Sequence, residues 1–327
     1  MLALIKAAPR GDRARIEELV AREEARVRRA FRQFLDEVRS PAVRRQVREV
    51  LEREGVESAL RVVDAHVVRL GTVIARVFQA AAANEAANLA GKLARTARVA
   101  ITFDPTYPRA ADAMRRNTLE FVRGFTRSQR EATRAALSEA LMAGAGPVEV
   151  ARAFRDSVGL TEVQRRAVAN YRRLLEAGDV QALARDLRDR RFDSSVARLI
   201  AEDEPLGATR IQRMVEQYRS RYLQYRAETI ARTETLRVLN QARVEAVAQT
   251  VEQAEINRAQ VRRIWRATQD PRTRDTHAAM DGQARGIDEP FESPSGALLM
   301  MPGDPSLGAP ASEIVNCRCV LLLEVAD

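Results

Sequence analysis

His277, Asp281, Cys317 and Cys319 are the side chains of this sequence best suited to hold a metal ion. On a strand, residues i and i+2 face the same way, so Cys317-Arg318-Cys319 would turn both thiols to one face. On a helix, residues four apart share a face, which would put His277 beside Asp281. Packing that helix over the strand would gather an imidazole, a carboxylate and two thiolates. Such a set can hold tetrahedral zinc, with bonds of roughly 2.0–2.3 Å. The spacing differs from that of zinc ribbons, whose cysteines stand about two to four residues apart. Two semi-buried thiols beside a hydrogen-bonded His would leave the same pattern. So would a redox pair, although a disulfide between i and i+2 would be strained.

Asp270-x-Arg272-Thr273-Arg274-x-x-His277 is the second constellation. An acid, two Arg and a His around a helix start could bind phosphate or move protons. No nucleophile with a paired base accompanies them, and an N-cap with ion pairs uses the same residues. Tyr218, Tyr222 and Tyr225, interleaved with Arg219, Arg221 and Arg226, would share one helical face. Stacked bases or a protein partner could use that stripe, and so could the core. His66 lies among Val62, Val63, Val67 and Val68 and reads as a packing residue. Arg44-Arg45, Arg115-Arg116 and Arg190-Arg191 read as solvated helix faces. Phosphate-loop, dinucleotide-fingerprint and metalloprotease motifs are absent from the sequence.

The elements that must position these residues are mostly helical. Aromatics are 5% of the 327 residues, which favours aliphatic, Ala-rich helix packing. Apolar residues at spacings of three and four predict a helix over 12–39. Ser40-Pro41 starts another, which Gly55 ends. Residues 56–100 and 110–143 continue the pattern on either side of Asp104-Pro105-Thr106-Tyr107-Pro108. Pro147 opens a short helix. Thr161 with Gln164 forms a capping box for the next, which ends near Gly178. Further helix is expected at 180–188 and 194–201. After a loop at 203–207, a run without Gly or Pro predicts a long helix over 208–256. Periodicity then changes. Arg262–Thr268 reads as a strand, Asp270-Pro271 as the start of a helix reaching about Met280, and Cys317–Val325 as a buried strand. The fold class expected is therefore mainly α, a long helical body with a small C-terminal α+β module. Its parts would be an N-terminal helical region at 1–105, a central helical domain at 106–258 and the module at 259–327.

No apolar run approaches the roughly 20 residues needed to cross a bilayer. Met1–Lys6 is too short and too soon charged to be a secretory leader, so a cytosolic origin is expected. Charge is uneven. Residues 259–327 hold 7 Arg against 10 acidic residues, a net of −3, whereas 1–258 carry a net of +12. A strongly basic body favours a polyanionic neighbour, with nucleic acid the first candidate.

The C-terminal residues also form an ordered series: Trp265, Asp270, Arg272, Thr273, Arg274, His277, Asp281-Gly282, Phe291 to Gly296, Pro302 to Asp304, and Asn316, Cys317, Arg318 and Cys319. Ala231-Arg232-Thr233-Glu234, with Asn240 and Arg243, precedes it. Over about 230–327 this series resembles the minor head, or head morphogenesis, family of tailed phages, also called phage Mu F-like. The resemblance implies a structural, non-enzymatic role in prohead assembly and in DNA packaging or ejection. It implies a place in the virion at the portal vertex or inner capsid, after synthesis in host cytoplasm. The implied partners are the portal protein, the major capsid or scaffold protein, and double-stranded DNA bound without sequence preference. The other readings are a sequence-independent DNA-binding protein, or a small metal-dependent enzyme centred on His277.

Overall fold

A computed structural model describes residues 9–93, 103–202, 205–253, 255 and 257–325. The Met1–Lys6 segment, Asp203-Glu204 of the expected loop, residues 94–102 and Ile256 lie outside the described residues. The fold is mainly α with a small C-terminal α+β module. Helices α1 (Pro9–Val38), α2 (Pro41–Glu54), α3 (Val56–Leu93), α4 (Pro108–Met142) and α5 (Pro147–Ser157) come first. Helices α6 (Glu162–Glu176), α7 (Asp193–Glu202) and α8 (Ala208–Gln253) follow. The module holds β1 (Val261–Arg266), α9 (Asp275–Ala279), β2 (Ala284–Gly286), β3 (Phe291–Glu292), β4 (Leu298–Leu299), α10 (Ala311–Ile314) and β5 (Val320–Val325). Among the described residues no helix is long and apolar enough to cross a membrane.

Local signals set most boundaries. Ser40 accepts a hydrogen bond from Val43 N ahead of Pro41, and Gly55 ends α2 at φ +83°. Thr161 and Gln164 make the reciprocal capping box of α6. Two stretches depart from the sequence expectation. Residues 180–188 form no α-helix; a 3₁₀ turn spans Val180–Ala182, because the Asp179 carboxylate captures the Gln181 N–H at 2.8 Å. A second turn, Arg190–Phe192, is held the same way by Asp189. Asp270 does not cap a helix reaching Met280. Its carboxylate accepts the Arg272 N–H at 2.9 Å and faces the Arg318 guanidinium, and α9 begins only at Asp275.

The chain divides into two units interleaved in sequence, because the long helices α1, α3, α4 and α8 contribute to both. One comprises the described parts of Phe31–Arg69 and Val122–Glu228. Its core includes Phe31, Phe34 and Phe125, with Phe34 and Phe125 edge to face at 5.3 Å. Gly159 (φ +86°) closes against Leu35 and Leu223; a Cβ there would sit 2.4 Å from Leu35 Cδ2, so glycine is needed for both conformation and space. Tyr218 is buried and stacks on Tyr171 at 4.3 Å, while Tyr225 is exposed, so the tyrosine stripe is only partly core. His66 is half-buried, with Nδ1 3.2 Å from Glu37.

The other unit comprises the described parts of Met1–Ala30, Leu70–Phe121 and Thr229–Asp327. A three-stranded antiparallel sheet, β2-β1-β5, packs against helices. Ile16, Leu236, Val320 and Leu322 form one buried cluster, with Val20 and Ile264 against it. Trp265, Met280, Phe291, Leu299, Cys317 and Cys319 belong to a second, which Val247 and Val251 of α8 join. In β1 the buried positions are Val261, Arg263 and Trp265, the two-residue period of a half-buried strand. Arg263 is tolerated because its guanidinium donates to backbone oxygens of Gly286, Glu289 and Met300 and lies 5.5 Å over Phe291.

A buried ion pair crosses this unit. Arg243 of α8 and Glu85 of α3 are 2% and 3% exposed and meet at 3.1 Å; Arg15 of α1 joins Glu85 at 2.5 Å. Burial alone would raise the Glu85 pKa, but Arg243 and Arg15 outweigh it and hold the carboxyl down to about 2. A value below that of the unfolded chain means stabilisation present above about pH 4.5 and lost as pH falls toward 2. Glu85→Gln should therefore weaken the acid dependence of stability in this window. It should also destabilise the neutral protein by about 3–5 kcal/mol, since Arg243 is left buried with its charge uncompensated. Urea unfolding of parent and variant across the pH series checks both; equal stabilities at neutral pH would refute the assignment.

Candidate metal centre

The three metal-binding side chains gathered here come from α9 and the segment leading into β5. His277 sits in the middle of α9, 1% exposed. Cys317 and Cys319, each 2% exposed, are free thiols on the approach to β5, which starts one residue later at Val320. Nδ1 of His277 lies 3.6 Å from Cys317 Sγ and 3.4 Å from Cys319 Sγ. All three ligand atoms fall within 4.8 Å of one another. For bonds of roughly 2.0–2.3 Å, tetrahedral geometry requires ligand atoms about 3.4–3.8 Å apart. The two nitrogen–sulfur separations meet that requirement.

The two thiols are pushed in opposite directions. The Cys317 thiol donates toward Cys319 and lowers its pKa; burial opposes this and His277 adds to it. Cys317 is pushed up by the neighbouring Cys319 sulfur and by burial. One thiol is thus already biased to the anion that a metal ion requires.

Asp281 is not part of the cluster. Helix α9 ends at Ala279, so the one-turn relation to His277 is lost. Its Oδ1 accepts the Ala267 N–H at 2.9 Å, and its Oδ2 accepts from Gln269 at 3.2 Å. The carboxylate beside His277 is Glu313, 4% exposed, whose Oε2 lies 2.9 Å from Nε2 on the ring edge away from the thiols. Burial would raise the Glu313 pKa, yet Ser295, His277 and Thr276 outweigh it and lower it. A carboxylate behind the non-ligating nitrogen sets tautomer and ring orientation in metal-bound histidines. Sequence spacing gave no signal for Glu313, because the contact joins α9 to the distant turn α10. Its only local marker is its place in a four-residue helix after Pro310.

Most of the motif residues hold this cluster in place. Trp265 is fully buried, its ring edge to face with His277 at 5.2 Å and with Phe291 at 5.5 Å. The Asp270 carboxylate holds both Arg318 terminal nitrogens, and that contact, ahead of burial, sets its pKa well below the usual carboxylate range. Strand-like alternation then sends Arg318 outward to Asp270 and Cys317 and Cys319 inward to His277. Thr268 Oγ1 donates to Arg318 O at 2.7 Å, Thr273 Oγ1 donates to Thr268 O, and Arg274 reaches Val315 O. Arg272 contributes its backbone N–H to Asp270, and its side chain is exposed. Gly282, at φ +81°, returns the chain so that its N–H meets Trp265 O at 2.9 Å. Asn316 adopts φ +59° just before the Cys pair, while its N–H donates to Thr233 of α8 at 3.0 Å.

The arrangement defines a helix-backed α+β module with a buried His-Cys-Cys centre. Residues 174–322, just under half of the chain, match the family model described as Phage Mu protein F like protein. A segment of 99 residues is 36% identical to Uncharacterized protein YqbB of Bacillus subtilis (strain 168), covering 29% of this chain and 30% of that protein. A segment of 97 residues is 32% identical to Minor head protein GP7 of Bacillus phage SPP1, covering 30% of this chain and 29% of that protein. The chain thus aligns with less than a third of the length of either relative. No solved structure matches it.

The left-handed turn at Asn316 makes a direct prediction. A β-branched side chain there pays a steric penalty of about 1–2 kcal/mol, and glycine pays none. Asn316→Val should lower thermal stability while Asn316→Gly stays near the parent; calorimetry showing equal losses for both would contradict this.

Proposed function

We propose that this chain is a minor head protein of a tailed phage, with a structural role in head morphogenesis and no catalytic activity. The observation that carries the reading is the Mu F-like domain at residues 174–322. Within it, the residues of the motif are spent on mutual contacts around Trp265, His277 and the Cys pair. The similarity to a minor head protein of Bacillus phage SPP1 points the same way. The protein is placed in the virion, at the portal vertex or inner capsid, after synthesis in host cytoplasm. Its partners are the portal protein and the major capsid or scaffold protein. The net charge of +12 over residues 1–258 supports contact with packaged double-stranded DNA, sequence-independent and weakened by salt. That contact serves DNA packaging or ejection.

His277, Cys317 and Cys319 bind a structural zinc ion, with Glu313 orienting the imidazole. An enzymatic reading centred on His277 has less support, since one ring nitrogen faces the thiols, the other faces Glu313, and Trp265 covers the ring.

Proheads and mature particles of the producing phage should both contain the protein by mass spectrometry of purified fractions. Its absence from both rejects the head-protein reading. Elemental analysis of the purified chain should find about one zinc per molecule. Cys317→Ser and His277→Ala should each abolish binding and lower the melting temperature, whereas Asp281→Asn should leave the zinc content unchanged. A folded parent free of metal after refolding with zinc would reject the metal assignment and leave the head-protein reading standing.

A further inference from the structure

The sequence run Arg44-Arg45, unremarkable as a helix face, acquires a partner in three dimensions. Helices α2 and α5 pack against each other, and between them lies a groove of about 390 Å³. Its charged lining is Arg44, Arg45 and Arg48 from α2 and Arg152 and Arg155 from α5, with no carboxylate among the described lining residues. The other cavities described differ. One holds Glu139, Asp156 and Glu216 beside its Arg residues, and another holds Glu120, Glu245, Asp288 and Asp304.

Arg44 and Arg48 are one helical turn apart, and Arg45 and Arg48 are neighbours at i,i+3. Arg152 and Arg155 repeat that spacing across the groove. Among the described residues, only Arg155 of these five has a carboxylate partner, Asp156, at 2.8 Å. Nε of Arg44 is shut off from solvent and has no acceptor. The groove runs from Pro41 to Arg48 on α2 and along most of α5, from Val148 to Arg155. At the helix starts Ser40 caps α2 and Glu149 lies in the first turn of α5, so the positive charge of the groove comes from its guanidiniums.

Five guanidiniums in one groove, four of them without a carboxylate partner among the described residues, favour a ligand that offers several phosphates at once. Guanidinium forks suit phosphate oxygens, singly or along a chain. The apolar lining is limited to Pro41, Val148 and Ala151, too little for a membrane-inserting face or for a pocket that reads a peptide side chain. We infer that the α2–α5 groove is where this protein grips the phosphodiester backbone of duplex DNA. The inference rests on the DNA-contact reading above and assigns that contact to particular residues.

The full-length chain is titrated with a labelled random-sequence duplex of about 30 base pairs over a range of salt concentrations. Each lost phosphate contact lowers the slope of log K against log[salt] by about 0.9. The triple substitution Arg45→Gln, Arg48→Gln, Arg152→Gln removes exposed side chains without carboxylate partners among the described residues, so the fold should be kept, as circular dichroism will verify. The slope should fall by about 2–3 and affinity near 0.1 M salt should drop at least about tenfold. The matched control Arg116→Gln, Arg123→Gln, Arg127→Gln removes three exposed Arg from α4 and should change affinity less than about twofold. Parent-like binding by the groove variant, or an equal loss in the control, overturns the groove assignment while the DNA reading survives. A parent that binds no duplex overturns both. Binding to phosphatidylserine vesicles without binding to duplex also overturns both, by placing the anion on a lipid surface.

Discussion

The C-terminal sheet depends on how its open edge is closed. Strand β5 lies at the end of the order β2-β1-β5, and opposite Trp265 the N–H and C=O of Leu321 point away from β1. Both are taken by α8. Asn240 Oδ1 accepts the Leu321 N–H at 3.2 Å, and the Arg243 guanidinium donates to Leu321 O. Unpaired backbone groups at a buried edge are costly, and an open edge invites pairing with another chain. The same two side chains reach further. Asn240 Nδ2 donates to Pro302 O at 3.0 Å, and Arg243 meets Glu85. Two residues one turn apart on a long helix thus determine where β5, the 302–304 turn and α3 stand.

The His-Cys-Cys centre follows from that anchoring. Once β5 is fixed, alternation along the segment before it places Cys317 and Cys319 inward and Arg318 outward. Asp270 holds Arg318, and α9 then hangs from the Asp270–Thr273 turn with His277 over the thiols. Trp265, directly opposite Leu321 in the register, covers the imidazole. The polar network behind the ring, Glu313 with Ser293, Ser295 and Thr276, fastens α10 and the β3–β4 turn to α9. A module with little regular structure is thereby organised around a few buried polar contacts. That accounts for the concentration of unusual residue types in so short a stretch.

Much of the helical body could be read in advance because its signals are local. Ser40-Pro41, Gly55, Gly146-Pro147 and the Thr161–Gln164 box act on backbone groups within one turn, so their effect does not await the rest of the fold. The expectation failed where side chains compete for the backbone. Asp179 and Asp270 have the composition of helix caps, yet their carboxylates close tight turns instead, Asp270 with Arg318 as a distant partner. Asp281 failed as a metal ligand for the related reason that its one-turn relation to His277 assumed a helix that stops at Ala279.

Sequence by itself determined the class of fold, the grouping of His277 with Cys317 and Cys319, and the kinship of the C-terminal part. Each of these rests on periodicity, i,i+2 alternation or ordered motif spacing, which chain geometry imposes locally. Tertiary structure alone decided that Glu313 backs the imidazole and that Asn240 and Arg243 seal a strand edge. It alone set Arg44, Arg45 and Arg48 across a groove from Arg152 and Arg155. Those relations join residues far apart in the chain, and they exist only once burial has fixed which faces meet.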